Sequence, residues 1–248
     1  MHTHTRFEAK FIIRETRAQA IRDYVAPWVT ADPHAAPGTK YPVESVYLDS
    51  PDRHTYWASA TGWKNRFKLR IRYYANADAP VYCEVKRRMD GAIIKQRARA
   101  PRDAARRWLE TGLGMHSLPG LTAHRRENLM AFEELARRFR AAPCVSVRYI
   151  REAYECLYTP HARLTFDREL VCRPAPPTGA ALDDAGAWWP AGPPDRVILE
   201  VKFTDQMPPW LTPLLRRFDL QRSSIAKYIA CVDALKPGLL MGPAAGPR

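Results

Sequence analysis

Basic side chains occupy every second position in most of residues 66–74, and residues of this type at this spacing could bind a polyanion. Side chains two positions apart share one face of a β-strand, so four cations would line one side of the stretch: Arg66, Lys68, Arg70 and Arg72. Neighbouring like charges repel by roughly 0.2–1 kcal/mol per pair, and a negative partner is therefore expected on this face. A solvated strand face above an apolar core is the alternative interpretation of this stretch alone.

The same pattern recurs in other predicted strands, where carboxylates join the cations. The members are the pairs Glu8/Lys10, Glu84/Lys86 and Glu200/Lys202, with Lys95, Arg97, Arg99 and Arg163 as further cations. The alternate residues are apolar, which fits an open sheet with helices on its apolar side or a barrel with its charged face inside. Burying so many cations without counterions would cost more than a domain's stability, so a barrel interior must be wet and must hold a polyanion.

Eight strands and several helices are predicted to position these residues. The strands are residues 6–13, 41–49, 66–74, 81–88, 93–99, 145–154, 162–167 and 197–203. One helix starts near Thr16, where Gln19 completes a capping-box pattern, and others cover 51–60, two parts of 102–142, 208–218 and 223–235. Residues 173–194 are rich in Pro, Ala and Gly and are predicted to form a long mobile insertion. Residues 1–236 are expected to form a single domain, and residues 237–248 a disordered tail.

The composition points to an anionic partner. The 248 residues include 39 Lys and Arg against 26 Asp and Glu, a net charge of +13. Such a surplus favours nucleic acid, an acidic membrane or a polyanionic small molecule. Nucleic acid is disfavoured because few aromatic residues share the charged faces for base stacking. Five scattered cysteines and the absence of a long apolar run predict a cytoplasmic protein with free thiols and no integral membrane segment.

Several short motifs resemble, in their order along the chain, those of the triphosphate tunnel metalloenzymes. The motifs are Arg6-Phe7-Glu8-Ala9-Lys10, Tyr47-Leu48-Asp49-Ser50, Lys68-Leu69-Arg70-Ile71-Arg72-Tyr73, Glu84-Val85-Lys86, Ile94-Lys95-Gln96-Arg97, Arg163 with Asp167, Leu199-Glu200-Val201-Lys202 and Ser224-Ile225-Ala226-Lys227-Tyr228. The similarity covers roughly residues 6–235. It is strongest toward the polyphosphate polymerase (VTC) branch and its bacterial members.

The resemblance implies an α+β fold: an antiparallel β-barrel tunnel of about eight strands with helices packed on the outside. It implies phosphate-binding and catalytic roles for nine basic residues: Lys10, Arg70, Arg72, Lys86, Lys95, Arg151, Arg163, Lys202 and Lys227. Lys68, Arg97, Tyr149 and Ser224 are candidate substrate-binding residues beside them. Glu200 matches the carboxylate that holds Mn²⁺ or Mg²⁺, and Glu8 is a second candidate.

The activity implied by the resemblance is transfer of the ATP γ-phosphoryl group to a growing polyphosphate chain. The opening ExExK motif of the wider superfamily is Arg6-x-Glu8-x-Lys10 here, one carboxylate short, which argues against the two-metal hydrolase and cyclase members. The usual Ser-Lys-Tyr is Ala226-Lys227-Tyr228, so Ser224 can replace the serine only if the helix geometry allows it. A tripolyphosphatase or nucleoside triphosphatase on the same scaffold, and a non-catalytic polyphosphate-binding module, stay open as alternatives.

Overall fold

The computed structural model describes residues 6–32, 40–74, 79–90, 92–159, 161–183 and 186–235. The strands are β1 (Arg6–Arg14), β2 (Val29–Ala31), β3 (Tyr41–Asp49), β4 (Arg66–Tyr73), β5 (Val81–Met89), β6 (Ala92–Ala100), β7 (Ala142–Cys156), β8 (Arg163–Pro174), β9 (Trp189–Pro190) and β10 (Arg196–Thr204). The helices are α1 (Glu15–Val25), α2 (His54–Ala60), α3 (Arg102–Thr111), α4 (Ala123–Arg138), α5 (Leu211–Arg217) and α6 (Lys227–Ala234). The predicted tail from residue 237 lies outside the described residues.

Eight main strands follow the order β1-β10-β8-β7-β3-β4-β5-β6, while β2 pairs with β7 and β9 with β8. The strand pairs whose register is resolved run antiparallel. The predicted α+β class, with an antiparallel sheet and helices on its outer, apolar side, is confirmed. No helix in the described part of the chain is long and apolar enough to span a membrane.

The chain divides into two compact units. The first consists of Met1–Pro42, Tyr149–Leu170 and Gly192–Ala226. Its core is formed where the apolar faces of β1, β8 and β10 meet α1 and α5. Ile21 of α1 and Leu199 of β10 are fully buried there. The period-two alternation in β1 and β10 therefore places Glu8, Lys10, Glu200 and Lys202 on the face away from the helices.

The second unit consists of Val43–Arg148, Val171–Ala191 and Lys227–Arg248. Its core lies between the apolar faces of β4, β5 and β6 and the helices α3 and α4. Leu69 and Ile71 of β4 and Phe132 of α4 are fully buried. The strand on which the sequence analysis centred alternates between buried apolar and partly buried basic residues along its whole length, as predicted.

A buried ion-pair cluster, which the sequence analysis did not anticipate, fixes α1 to the sheet of the first unit. Arg168 of β8 donates to Glu152 at 2.9 Å and to Glu15 at 3.0 Å. Arg22 of α1 donates to the same Glu152 at 3.0 Å. These charges lie on the helix side of the sheet and belong to the packing of α1. The pairing satisfies charges that would be costly to bury alone.

Several local predictions differ from the structure; for example, the helices predicted over 51–60 and 208–218 begin three residues later, and β8 continues past residue 167 to Pro174. Helix α1 begins at Glu15 directly after β1, and no side chain caps it, so the capping-box prediction is wrong. The helix predicted from residue 223 begins only at Lys227, because the Ser223 amide donates to the Lys10 carbonyl and holds the preceding segment along β1. The predicted 173–194 insertion contains a buried 3₁₀ helix, Gly179–Leu182, and the Trp188 indole packs between two guanidinium groups.

Candidate functional site

The register of β4, β5 and β6 arranges the charged residues of the second unit into rows. Lys68 lies directly opposite Lys86, which lies opposite Lys95. The adjacent row is Arg70, Glu84 and Arg97, and the one after it is Arg72, Tyr82 and Arg99. Like charges directly opposite one another destabilise a sheet, so the lysine row is an arrangement that an anion would stabilise.

Glu84 is the central acceptor of this face. Its carboxylate receives a hydrogen bond from Arg70 Nε at 2.7 Å, while Lys95 Nζ and Arg97 Nε lie 3.3 and 3.4 Å from Oε1. The side chain is only 2% exposed. Burial opposes its ionisation, but Arg70, Arg72 and Lys95 together hold the pKa of Glu84 well below its usual range. The sequence analysis noted Glu84 only as part of a repeated pair and assigned it no role.

Lys95 has an unusual acid–base environment. Its side chain is 38% exposed and faces a cluster of arginines. Partial loss of solvent and the positive charges of Arg70, Arg72 and Arg97 outweigh the attraction of Glu84, so the pKa of Lys95 falls to about 8. A lysine with this pKa changes its charge within an accessible pH range.

Arg97 and Arg72 complete the basic face of the second unit. Arg97, a candidate substrate-binding residue, has its guanidinium 3.8 Å from the centre of the Tyr82 ring, beside Glu84. Arg72 lies between Ser45 and Tyr82 in the register. Lys68 and Lys86 are more exposed to solvent than Glu84, which is buried. The predicted residues of β4, β5 and β6 therefore share one face.

Aromatic packing connects Arg70 to helix α6. Arg70 Nη1 donates to the Tyr47 hydroxyl at 3.2 Å, and the Tyr47 ring stacks on Tyr228 with 4.8 Å between ring centres. The Tyr228 hydroxyl donates to the buried carboxylate of Asp49. Lys227 is the residue before Tyr228 and begins α6, so the anchoring of Tyr228 also fixes the start of the helix that carries Lys227.

Asp49 also fixes the beginning of α2. Its carboxylate accepts hydrogen bonds from the backbone N–H groups of Ser50, Thr55 and Tyr56 at 2.8, 2.8 and 2.9 Å. The Thr55 and Tyr56 amides lie in the first turn of the helix, where they have no partner within it, so these two bonds cap that turn. The sequence analysis quoted Asp49 and Tyr228 in its motifs without assigning roles to them; both are structural anchors.

The charged face of the first unit alternates carboxylates and lysines. Glu8 lies opposite Lys202, and Lys10 lies opposite Glu200. Lys10 Nζ is 3.0 Å from Glu8 and 3.7 Å from Glu200, while Lys202 Nζ is 3.0 Å from Glu200. The Glu-x-Lys repeat thus forms a network across two strands that are far apart in the sequence.

Arg151 joins this network from β7. Its Nε and Nη2 donate to the two carboxylate oxygens of Asp167, both at 2.7 Å, and Nη2 lies 3.8 Å from Glu200. Burial disfavours the charge, but the carboxylate of Asp167 keeps the pKa of Arg151 above its usual value. The guanidinium lies 5.3 Å from the centre of the buried Tyr149 ring. Asp167, which the sequence analysis mentioned only beside Arg163, is the main partner of Arg151.

Arg163 and Ser224 are placed less centrally. Arg163 lies opposite Lys202 in the register, but its Nη2 forms an ion pair with buried Asp32 and its Nε is 3.7 Å from Glu155. Its charge is therefore largely matched within the protein. Ser224 is exposed and precedes α6, so it does not share a helix with Lys227. A phosphate-binding role for either residue stays a prediction.

Glu200 and Glu8 fit a metal ion that draws most of its ligands from a substrate. Both carboxylates lie within 4 Å of the same Lys10 ammonium group, which marks a position favourable to a cation. Among the described residues, no group of three or more His, Cys, Asp or Glu side chains could enclose a metal. Mg²⁺ commonly binds one or two carboxylates together with water and phosphate oxygens, and this pair suits that mode.

Comparison with known proteins gives one family match and two related structures. A family model described as the VTC domain matches residues 5–236. HpAC1 from Hippeastrum, a suggested adenylyl cyclase in which triphosphatase activity is dominant, aligns with a TM-score of 0.50 at 13% identity, over 91% of this chain and 93% of its own. The PH1819 protein from Pyrococcus horikoshii OT3 has a TM-score of 0.44 at 14% identity, with 90% and 97% covered. A comparison with curated proteins finds no match. The likeness to HpAC1 establishes a shared fold.

Proposed function

Since the chain belongs to the VTC domain family, we propose that it is a metal-dependent phosphotransferase that moves the ATP γ-phosphoryl group to a polyphosphate chain. The observation that carries this proposal is the row Lys68, Lys86 and Lys95 on neighbouring strands. Three lysines at directly opposite positions gather positive charge on one face, although Lys95 also lies 3.3 Å from Glu84, and a chain of phosphates would add negative charge beside them. Ordinary surface strands place opposite charges across from each other instead.

Phosphoryl transfer has a loose transition state, so an enzyme contributes mainly positioning and charge stabilisation. Arg70 is well suited to this task because Glu84 and Tyr47 hold its guanidinium in one orientation. Fixed arginine groups can bind two phosphate oxygens at once. Arg72, Lys86 and Lys95 supply further positive charge on the same face.

Glu200, with Glu8 beside it, would hold the Mg²⁺ or Mn²⁺ ion. When bound, this ion would supply positive charge that offsets the negative charge of the phosphate groups. Lys202, two residues along the same strand, and Arg151 of β7 hold the Glu200 carboxylate in place, at 3.0 and 3.8 Å. In the structure Lys10 occupies the position between the two carboxylates, so a bound metal ion would replace its ammonium group there and leave Lys10 available to bind phosphate oxygens. A cytoplasmic location, a bacterial source and a single domain over residues 1–236 stay predictions.

The test is to incubate the purified protein with ATP and Mn²⁺ or Mg²⁺, with a chelator as control, and to separate the products on a gel. A polymerase yields long chains, a triphosphatase yields only short products and phosphate, and a binding module leaves ATP intact. Either of the last two outcomes would overturn the proposal.

Arg70→Ala and Arg87→Ala form a matched pair of variants for the same assay. They lie on neighbouring strands and remove one positive charge each, but Arg87 is on the opposite face of β5 from Glu84. Arg70→Ala should lower kcat by about 10²–10³, on the scale of a lost transition-state donor. Arg87→Ala should leave it nearly unchanged. Equal activities of the two variants would contradict the assignment of Arg70.

A further inference from the structure

An open cavity of about 470 Å³ lies on the second unit beside the turn of the β5–β6 hairpin. Its lining residues are Gly62, Lys64, Arg66, Arg88 and Asp90. None of them is among the candidate site residues that the family resemblance implies. Arg66 of β4 and Arg88 of β5 lie directly opposite each other, one row beyond Lys68 and Lys86. The cavity therefore continues the basic face of β4 and β5 toward one end of the strands.

The charges in this cavity are poorly balanced. Three cations line it against the single carboxylate of Asp90. Within the described residues, Lys64, Arg66 and Arg88 form no ion pair; Arg66 donates to the Trp63 carbonyl. The pKa of Arg66 is lowered mainly by its partial burial and to a smaller extent by the positive charge of Arg88. A pair of facing arginines with no carboxylate between them favours an anion from outside the protein.

The spacing of the rows matches a chain-like ligand rather than a compact one. Successive rows on a strand are two residues apart, about 6.6–6.8 Å. A ligand bound at the Arg70 and Lys68 rows would reach Arg66 and Arg88 only if it extended by a further row. A triphosphate bound beside Glu84 is short, whereas a long polyphosphate would occupy both regions.

We propose that Lys64, Arg66 and Arg88 form a distal phosphate site, which binds the part of a polyphosphate chain that extends past the Lys68 and Lys86 row. The site makes affinity increase with chain length. This proposal rests on the proposed function, because it takes polyphosphate as the ligand of the basic face. It adds three residues to which the family resemblance assigns no role.

The test uses Arg88→Ala with Arg87→Ala as its control. The two arginines are neighbours on β5, point to opposite faces and carry the same charge. Affinities for tripolyphosphate and for long-chain polyphosphate are measured at several salt concentrations. Arg88→Ala should weaken binding of the long chain about tenfold, leave tripolyphosphate within about twofold, and lower the salt slope by about one. Arg87→Ala should change neither affinity.

Two further measurements keep the test decisive. The melting temperature without ligand should not fall in Arg88→Ala, since the substitution relieves repulsion with Arg66. Equal weakening of both ligands, an equal effect of Arg87→Ala, or equal weakening of a single-stranded oligonucleotide of similar charge would overturn the distal site. Chain elongation by the wild type is assayed in parallel. If elongation is absent but the length-dependent loss in Arg88→Ala is present, the proposed function fails and the distal site stands.

Discussion

At the scale of single residues, the repeated Glu-x-Lys pairs differ in what their glutamates do. Glu84 is paired with Arg70 of β4 and with Lys95 and Arg97 of β6, and is almost completely buried. Glu8 is more exposed and shares Lys10 with Glu200. The same Glu-x-Lys pattern therefore gives different roles in the two units, because the neighbouring strands supply different partners. Glu84 is the shared acceptor of three cations, whereas Glu8 is a candidate metal ligand.

Glu84→Gln should destabilise the protein, since it keeps the size of the side chain but leaves three cations facing one another. We expect a loss of about 2–3 kcal/mol in the free energy of unfolding at neutral pH, below the value for a fully buried pair because the cations are partly exposed. Urea denaturation measures this, with exposed Glu127→Gln on α4 as control. The folded pKa of Glu84 is depressed, so its contribution exists above the unfolded value and is lost as pH falls below about 4.5. Acid sensitivity identical in wild type and Glu84→Gln would contradict this.

The lowered pKa of Lys95 predicts a pH dependence of ligand affinity. The side chain loses its proton as pH rises through about 8, and a neutral amine binds phosphate more weakly. Affinity for tripolyphosphate should fall by up to about tenfold between about pH 7 and pH 9. Lys95→Arg keeps its charge over this range and should remove most of that decrease.

The titration of Lys95 should also affect the free energy of unfolding, which should rise with pH where the affinity for phosphate falls. Because the folded pKa of Lys95 lies below its ordinary value of 10.5, the unfolded chain binds more protons between about pH 8 and 10.5. The charged form of Lys95 is disfavoured in the folded protein, so the free energy of unfolding increases as pH rises through that window. Titration calorimetry and denaturation on the same samples separate the two effects. A pH profile of Lys95→Arg that matches the wild type would exclude Lys95 as the group responsible.

At the scale of elements, strands were predicted better than the ends of helices. Alternation of basic and apolar residues marks β4, β5, β6 and β10, because their two faces meet different surroundings. Helix ends depend on contacts that no local pattern contains. Ser223 and Arg222 pair with Lys10 and Phe11 of β1, so the segment before α6 runs along that strand. The helix therefore begins at Lys227 and not at residue 223 as predicted.

Asp49→Asn tests the anchoring of α2 and α6. An amide retains one acceptor oxygen, so it cannot serve the α2 backbone amides and the Tyr228 hydroxyl as the carboxylate does. We expect a loss of about 2–3 kcal/mol in unfolding free energy. Exposed Asp52→Asn, in the same turn, should change it by less than about 0.5 kcal/mol. Equal melting temperatures for the two variants would show that Asp49 is not an anchor.

At the scale of the whole molecule, the net charge of +13 is concentrated in part on strand faces. Repulsion on those faces destabilises the free protein, so a bound polyanion should stabilise it. Long-chain polyphosphate at about 100 times its dissociation constant should add about 2.7 kcal/mol to the unfolding free energy. A thermal-shift series checks this, and the shift should shrink as salt screens the charges. An increase that persists at high salt would point to a different mode of binding.

The sequence by itself determined which residues share a face, because the side-chain period of a strand is a local property. It also determined the basic character of the chain and, through ordered motifs, its family. Only the tertiary structure decided which carboxylate each cation contacts. Arg151 binds Asp167, Arg163 binds Asp32, and Lys10 lies between Glu8 and Glu200. Glu200, which lies beside Lys10, and Asp32, which pairs with Arg163, come from distant parts of the chain. Their pairing depends on how the strands and connecting segments meet in the folded sheet, which no short stretch of sequence contains.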